Sequence, residues 1–262
     1  MEEPGDQNRQ MTMNMPDTFN YLEGDAFSFA CHPGISCFTE CCRDLNLVLT
    51  PYDLLRLKKS LNLSSADFLD QYTVIKPNVH NGFPAVLLKM MEDERRRCPF
   101  VTPTGCRIYE DRPGACRIYP IGRGVSKTQG QEGTREIHFV VKEAHCQGFG
   151  EPKEWTVGDW SQDQGLTPYS FYNDLWTEII THKGSLISEE GLSQKLQMFF
   201  MVSYNLDQFR QFVFKSTFLK RFDFPEETLR KMGSDDEELL KQGLKWLKFV
   251  LFGERVISLR KE

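Results

Sequence analysis

Cys31-His32-Pro33-Gly34-Ile35-Ser36-Cys37-Phe38-Thr39-Glu40-Cys41-Cys42-Arg43 crowds four thiols into one short turn-rich stretch. Further along come Cys98, Cys106, Cys116 and Cys146, so the spacings are C-x5-C-x3-C-C and then C-x7-C-x9-C-x29-C. All 8 cysteines lie between Cys31 and Cys146, and residues 147–262 contain none. One half of the chain therefore needs thiols and the other does not. Buried cysteines acting as small hydrophobes account for one or two of them, not for a full set beside Pro, Gly and Arg. Thiolates are soft ligands that select zinc, copper(I) and iron–sulfur clusters.

The spacing bears on which metal. Structural zinc sites usually use C-x2-4-C knuckles, whose tight turn aims two sulfurs at one tetrahedral ion. Only Cys37 and Cys41 fall in that window, and no C-x2-C occurs. Long irregular spacings suit a multi-iron cluster, whose ligands arrive from several directions. The expected cofactor is an iron–sulfur cluster, with Zn2+ as the alternative. Adjacent Cys41 and Cys42 point apart in an extended chain, so one ligates while the other serves a second site or stays free. His32 and His145 adjoin cysteines; each either ligates, bonds a sulfur, or is simply a polar turn residue, and the last reading is favoured.

Outward from the cysteines, Leu49-Thr50-Pro51-Tyr52-Asp53 reads as a helix start, with a Thr cap, Pro at the first helical position and an acid at the third. Ser64-Ser65-Ala66-Asp67 opens a second short helix. Residues Ala85 to Met90, Cys98 to Val101 and Glu136 to Val141 look like strands, with Thr102 to Gly105 and Gly122 to Gly133 as turn and loop. Beyond Trp155 and Trp160 the pattern turns helical. Thr167-Pro168 starts a helix ending near Gly184, Ser188 starts another, a third follows Asn205, and Ser234-Asp235-Asp236-Glu237 caps a last one stopped by Gly253. The expected fold is α+β: a small cysteine-rich, metal-centred domain of short strands and helices, followed by a C-terminal helical bundle. The expected division is 1–19 flexible tail, 20–150 cysteine-cluster metal-binding domain, and 151–262 helical region.

Net charge is −5, with 32 basic against 37 acidic residues, which argues against a nucleic-acid partner. The run Arg95-Arg96-Arg97 raises thiolate character nearby, faces an acidic partner or is a solvated loop, the last being favoured. No apolar run reaches membrane-spanning length, and the acidic N-terminus does not read as a signal peptide. The chain is expected to be cytoplasmic, where clustered cysteines serve as ligands or redox groups rather than disulfides. The expected partners are a metal ion or cluster and a protein docked on the helical half.

The ordered series Cys31-His32-Pro33-Gly34, Cys37-Phe38-Thr39-Glu40-Cys41-Cys42-Arg43, Leu49-Thr50-Pro51-Tyr52-Asp53, Cys98-Pro99-Phe100, Cys106-Arg107-Ile108-Tyr109-Glu110-Asp111-Arg112-Pro113 and Cys116-Arg117-Ile118-Tyr119-Pro120 resembles the YkgJ-like cysteine-cluster family, over about residues 27 to 148. That family's name pattern is C-x2-C-x2-C-C, from which C-x5-C-x3-C-C departs. The resemblance implies zinc or iron chelation, with Cys31, Cys37, Cys41, Cys42, Cys98, Cys106, Cys116 and Cys146 as candidate ligands and a redox, sensing or structural role. Some relatives are flagellin lysine N-methylases, which makes protein lysine methylation with S-adenosylmethionine the alternative. Against that alternative, Asp44 stands where a C-x3-C-x2-C motif needs its third cysteine, and no G-x-G-x-x-G loop occurs. Arg112 and Arg117 are read either as donors to cluster sulfurs or an anionic substrate, or as partners of Glu110 or Asp111. Because binding energy in such sites is folding energy, the metal-free chain is expected to be poorly folded through residues 27 to 148.

Overall fold

The computed structural model describes residues 19–22, 24–77, 82–127, 134–182 and 191–260. The tail expected over 1–19 falls outside them except at Phe19, which opens strand β1 (Phe19–Tyr21). Strand β2 (Ala26–Ser28) follows, and then helix α1 (Pro51–Ser60). Thr50 and Asp53 close a reciprocal capping box: Asp53 N–H donates to Thr50 Oγ1 at 3.3 Å and Thr50 N–H to Asp53 Oδ2 at 2.8 Å. Ser64 caps α2 (Ser65–Tyr72), which runs into the hairpin β3 (Thr73–Pro77) and β4 (Pro84–Leu88). A two-residue ladder follows, β5 (Val101–Thr102) against β6 (Gly105–Cys106), and then the short helix α3 (Gly114–Ile118).

Strands β7 (Ile121–Lys127) and β8 (Thr134–Val141) pair antiparallel, with β1 on the far edge of β8, in the order β1-β8-β7. The loop expected over Gly122 to Gly133 is therefore wrong for its first half; residues 128–133 lie outside the described ones. Two glycines and a serine hid this strand from its composition. Gly122 is required there because the Phe139 ring, directly opposite in register, fills the space a Cβ would occupy. Strand β9 (Glu154–Thr156) pairs with β2 and leads into α4 (Val157–Asp163).

The C-terminal half is helical as expected: α5 (Thr167–Ile180), α6 (Leu192–Tyr204), α7 (Leu206–Lys215), α8 (Phe218–Arg221), α9 (Glu226–Ser234) and α10 (Asp236–Phe252). Two-residue strands β10 (Phe222–Asp223) and β11 (Ser258–Leu259) pair beside them. Asn205 caps α7, and Gly253, at φ 74°, ends α10 in the left-handed conformation that glycine adopts without strain. Two boundaries move. Helix α5 stops at Ile180 rather than near Gly184, and the cap of α10 is Asp235, whose carboxylate accepts from Glu237 N–H at 2.9 Å. Ser234 instead belongs to α9, a helix whose apolar positions are too few to announce it. The expected cap Ser188 lies outside the described residues.

One core runs through most of this. Tyr52, Leu54, Leu55 and Leu57 of α1, Phe68 of α2 and Val86 of β4 share it with Ile179, Phe199, Val202, Phe209, Leu240, Leu244 and Leu247 from the helical half. Burying each such aliphatic side chain contributes about 1.5–3 kcal/mol. Tyr52 is sandwiched, edge-on to Tyr169 at 4.9 Å and stacked on Tyr172 at 4.6 Å. Helix α1 buries Pro51, Tyr52, Asp53, Leu54, Leu55 and Leu57 and also Lys58, whose ammonium pairs with Asp207 at 2.9 Å and Asp236 at 3.0 Å. A second, smaller core of Phe27, Phe29, Ile121, Val157 and Trp160 lies under the three-stranded sheet and the β2–β9 pair. Among the described residues no helix is long and apolar enough to cross a membrane.

Candidate metal centre

The thiol-rich coil between Cys31 and Cys42 is wound by successive tight turns. Ile35 N–H donates to His32 O, Phe38 to Ile35, Glu40 to Cys37 and Cys42 to Thr39, at 2.9–3.1 Å. Two non-glycine residues in the left-handed region bracket its last two cysteines, Thr39 at φ 68° and Asp44 at φ 49°. Such backbone costs about 1–3 kcal/mol per residue and persists where surrounding structure imposes it, commonly at functional sites.

Two edges fix where this coil lies. On one, Ala30 N–H donates to Gly148 O at 3.1 Å and Gln147 N–H to Cys37 Sγ at 3.2 Å, which brings Cys31 and Cys37 beside Cys146. Gly148 is needed there, since a Cβ would stand 2.6 Å from both Ala30 O and the Phe29 ring. On the other, Cys98 N–H donates to Cys42 O at 2.9 Å, next to the Arg43–Arg97 bridge. Exposed ion pairs line the same seam: Arg95 donates to both Glu40 oxygens at 2.6 and 2.8 Å, Arg96 meets Asp44 at 3.3 Å and Arg97 meets Asp93 at 2.8 Å. Arg95, foremost, holds Glu40 below the usual carboxylate range. The cationic run is thus engaged by local carboxylates in an exposed loop, the favoured reading.

Cys106 ends the β5–β6 ladder opposite Val101, three residues beyond Cys98, and Cys116 rides on α3. Helix α3 is docked by Asp53, whose Oδ1 accepts from Gly114 N–H at 2.7 Å while Oδ2 holds the cap of α1. Burial drives the Asp53 carboxyl up, opposed by those N–H donors, the Thr50 hydroxyl and nearby Arg117. Arg117 donates to Gln164 O at 2.6 Å, to Arg112 O at 3.2 Å and to Glu110 O, and Arg112 donates to Tyr109 O at 2.5 Å and to Gln164 Oε1. Both arginines bind backbone carbonyls and Gln164, and Asp111, weighed as their partner, pairs instead with Arg56 at 2.6 Å. They are the frame on which Cys116 is mounted.

The thiols fall into neighbourhoods. Cys31 lies within electrostatic range of Cys41, Cys37 and Cys146; burial first, and then these neighbours, push its thiol up to about 11. Burial likewise raises Cys116, and Cys98, Cys106 and Cys41 add to it; it also raises Cys98 and Cys106. The Cys42 thiol donates to the Cys41 sulfur, so Cys41 is lowered and Cys42 raised, with Cys98 and Cys116 close to the latter. Cys31 and Cys116 are exposed residues, each with other thiols within electrostatic range. All eight cysteines are free thiols. Among the described residues no three Cys, His, Asp or Glu side chains close on one ion-sized point as they stand.

Two polar neighbours of Cys146 have buried polar atoms, Tyr119 and His145, the second favoured from sequence as a polar turn residue. The Tyr119 hydroxyl is buried without a well-formed hydrogen bond and lies against Cys146, which together with burial raises it. His145 Nε2 is likewise buried without a well-formed hydrogen bond, with a Glu143 carboxylate oxygen at 3.5 Å. Nothing in the sequence marks Tyr119 apart from its place between Cys116 and Cys146. His32 turns away, accepting from Gly34 N–H at 3.2 Å and facing Glu151 at 3.4 Å. The donor set therefore fits a thiophilic metal or cluster: soft ligands in excess, with buried polar atoms left unsatisfied around them.

A family model, CxxCxxCC, described as a "putative zinc- or iron-chelating domain", matches residues 30–147, which include every cysteine. Comparison with curated proteins and with solved structures gives no match. The resemblance read from the cysteine series is borne out over that segment: residues 30–147 of this chain match the CxxCxxCC cysteine-cluster family.

Proposed function

We propose that this protein is a metal-binding protein of the reducing cytoplasm that holds an iron–sulfur cluster through its cysteine thiolates, in a redox, sensing or structural role, with zinc as the rival occupant. One observation carries the reading. Thiols from separate segments are brought together by backbone hydrogen bonds, Cys146 beside Cys37 and Cys98 beside Cys42, inside the segment that matches a zinc- or iron-chelating family. A zinc ion, with Zn–S near 2.3 Å, draws its sulfurs within about 4 Å of one another. A multi-iron cluster takes ligands set wider apart and arriving from several directions. The free state of all eight thiols suits a reducing compartment.

When bound, such a cluster supplies electron-transfer chemistry, its potential set in part by hydrogen bonds to the sulfurs. The chain provides such donors in Gln147 N–H, on Cys37, and in the Tyr119 hydroxyl beside Cys146. Raised thiols such as Cys31 hold their protons at neutral pH, so loading releases protons to solvent. The lysine-methylase alternative gains no support from the site or from the family match. Purification without oxygen, followed by the visible spectrum and by iron, zinc and acid-labile sulfide content, tests the proposal. Brown protein with matching iron and sulfide is expected. Colourless protein with stoichiometric zinc would replace the cluster by zinc, and metal-free protein would overturn the reading.

A further inference from the structure

We infer that Cys42 and Cys98 form a reversible oxidation site, two thiols that a peroxide joins into a disulfide across the seam between the cysteine coil and the loop after β4. The inference deepens the redox and sensing side of the reading above. It is tested on the metal-free chain, so its failure leaves metal binding standing.

The register of the seam sets the pair. Cys98 N–H donates to Cys42 O at 2.9 Å and Asp44 N–H donates to Arg96 O at 2.9 Å, on either side of the antiparallel bridge of Arg43 with Arg97. Cys42 and Cys98 are therefore directly opposite one another, as are Asp44 and Arg96. Directly opposite residues send their side chains to the same side of an antiparallel pair. At the other end of the seam they meet in this way, the Asp44 carboxylate lying 3.3 Å from the Arg96 guanidinium. An opposed, hydrogen-bonded pair sets its Cα atoms about 5.5 Å apart, in the middle of the roughly 4.4–6.8 Å span that disulfides occupy. Arg95, donating to both Glu40 oxygens at 2.6 and 2.8 Å, ties the two segments together beside the pair.

Cys41 is the nearest rival for Cys42. The peptide between them is trans, which fixes their Cα atoms about 3.8 Å apart, short of the disulfide span. Cys42 and Cys98 are both free and half-buried, within reach of a small oxidant.

One peroxide serves each bond. A thiolate of the pair attacks it: an S–O bond forms, the O–O bond breaks, and the leaving hydroxide takes up a proton as water. The partner sulfur then attacks the sulfenic sulfur, so that the S–S bond forms, the S–O bond breaks and a second water leaves. The two thiols give up two electrons and two protons, the peroxide is reduced, and a dithiol reductant reverses the bond by exchange. While the bond stands, neither sulfur is a thiolate open to metal.

The full chain, stripped of metal and reduced, is treated with one equivalent of hydrogen peroxide. Thiols left free are blocked with one alkylating reagent, the protein is reduced, and the thiols released are labelled with a second. Tandem mass spectrometry then locates the second label. It is expected on Cys42 and Cys98, with the titre of free thiols down by two and restored by dithiothreitol. C41S should keep this behaviour and C98S should lose it. The second label on another pair, such as Cys37 with Cys146 or Cys41 with Cys42, would overturn the inference. So would an unchanged thiol titre, or sulfinic acid at Cys42 or Cys98 in place of a disulfide. The wild-type map decides the matter if either variant does not fold. A chain purified without metal would refute the metal-binding reading and leave this result untouched.

Discussion

Asp53 ties helix geometry to the metal centre. A buried carboxylate has room for several acceptor contacts, and Asp53 spends one oxygen on the Thr50 cap and the other on Gly114 N–H. Asn offers one acceptor and an amide donor, so Asp53→Asn leaves one of those N–H groups buried and facing another donor. The expected loss is about 1–3 kcal/mol, seen as a lower urea midpoint, with reduced metal retention because α3 carries Cys116. An unchanged midpoint would show that Asp53 does not anchor α3. The sequence revealed Asp53 as a helix-start acid because Thr-Pro-Tyr-Asp is a local signal. Its second contact, sixty-one positions away at Gly114, leaves no trace in local pattern.

Between elements, the joint of α1 with α7 and α10 is ionic as well as apolar. Lys58 is almost wholly buried and must keep its countercharges, Asp207 and Asp236. Asp207 also accepts from Ser65 N–H, at 2.6 Å, capping α2 from a distance. Partial burial pushes the Asp207 carboxyl up, but the Ser65 N–H and Lys58 outweigh it and hold the group below its usual range. A depressed carboxyl stabilises the fold above its unfolded pKa, and that contribution is lost as pH falls through the folded value. Wild-type urea midpoints should therefore drop on the acid side of the ordinary carboxylate range, and Asp207→Asn should flatten that part of the profile while lowering stability at neutral pH. Parallel profiles for the two proteins would reject the latch. Helices α5, α7 and α10 were legible because caps and apolar periodicity are short-range properties. Strand β7 was not, because glycine at positions 122 and 124 signals a turn until Phe139 and Ile137 are seen across the ladder.

Across the whole molecule, the cysteine loops ride on a core built mostly by other segments, to which Phe100 and Ile108 contribute. Leu54, Leu57, Phe68 and Val86 lie within the segment expected to unfold without metal, yet they are buried in a core shared with α5, α6, α7 and α10. Chelation is therefore expected to open the coil around Cys31–Cys42 and the loop around Arg95–Arg107 while leaving that core closed. In limited trypsin digestion with chelator, cleavage at Arg43, Arg95, Arg96, Arg97 and Arg107 should accelerate, with α5–α10 surviving as a protected block. An unchanged pattern would argue that metal does not hold the loops, and general degradation would show that it holds the core as well. The sequence by itself determined the donor chemistry, the family resemblance, the α+β character and helices α5, α6, α7 and α10, since each is written in residue type and near-neighbour spacing. Only the tertiary structure decided that residues 146–148 lie beside the first coil, that Cys42 is hydrogen-bonded to Cys98, and that α1 belongs to the core of the helical half. Those are long-range pairings, set by backbone hydrogen bonds and packing between segments far apart in the chain, and spacing along a sequence carries no record of them.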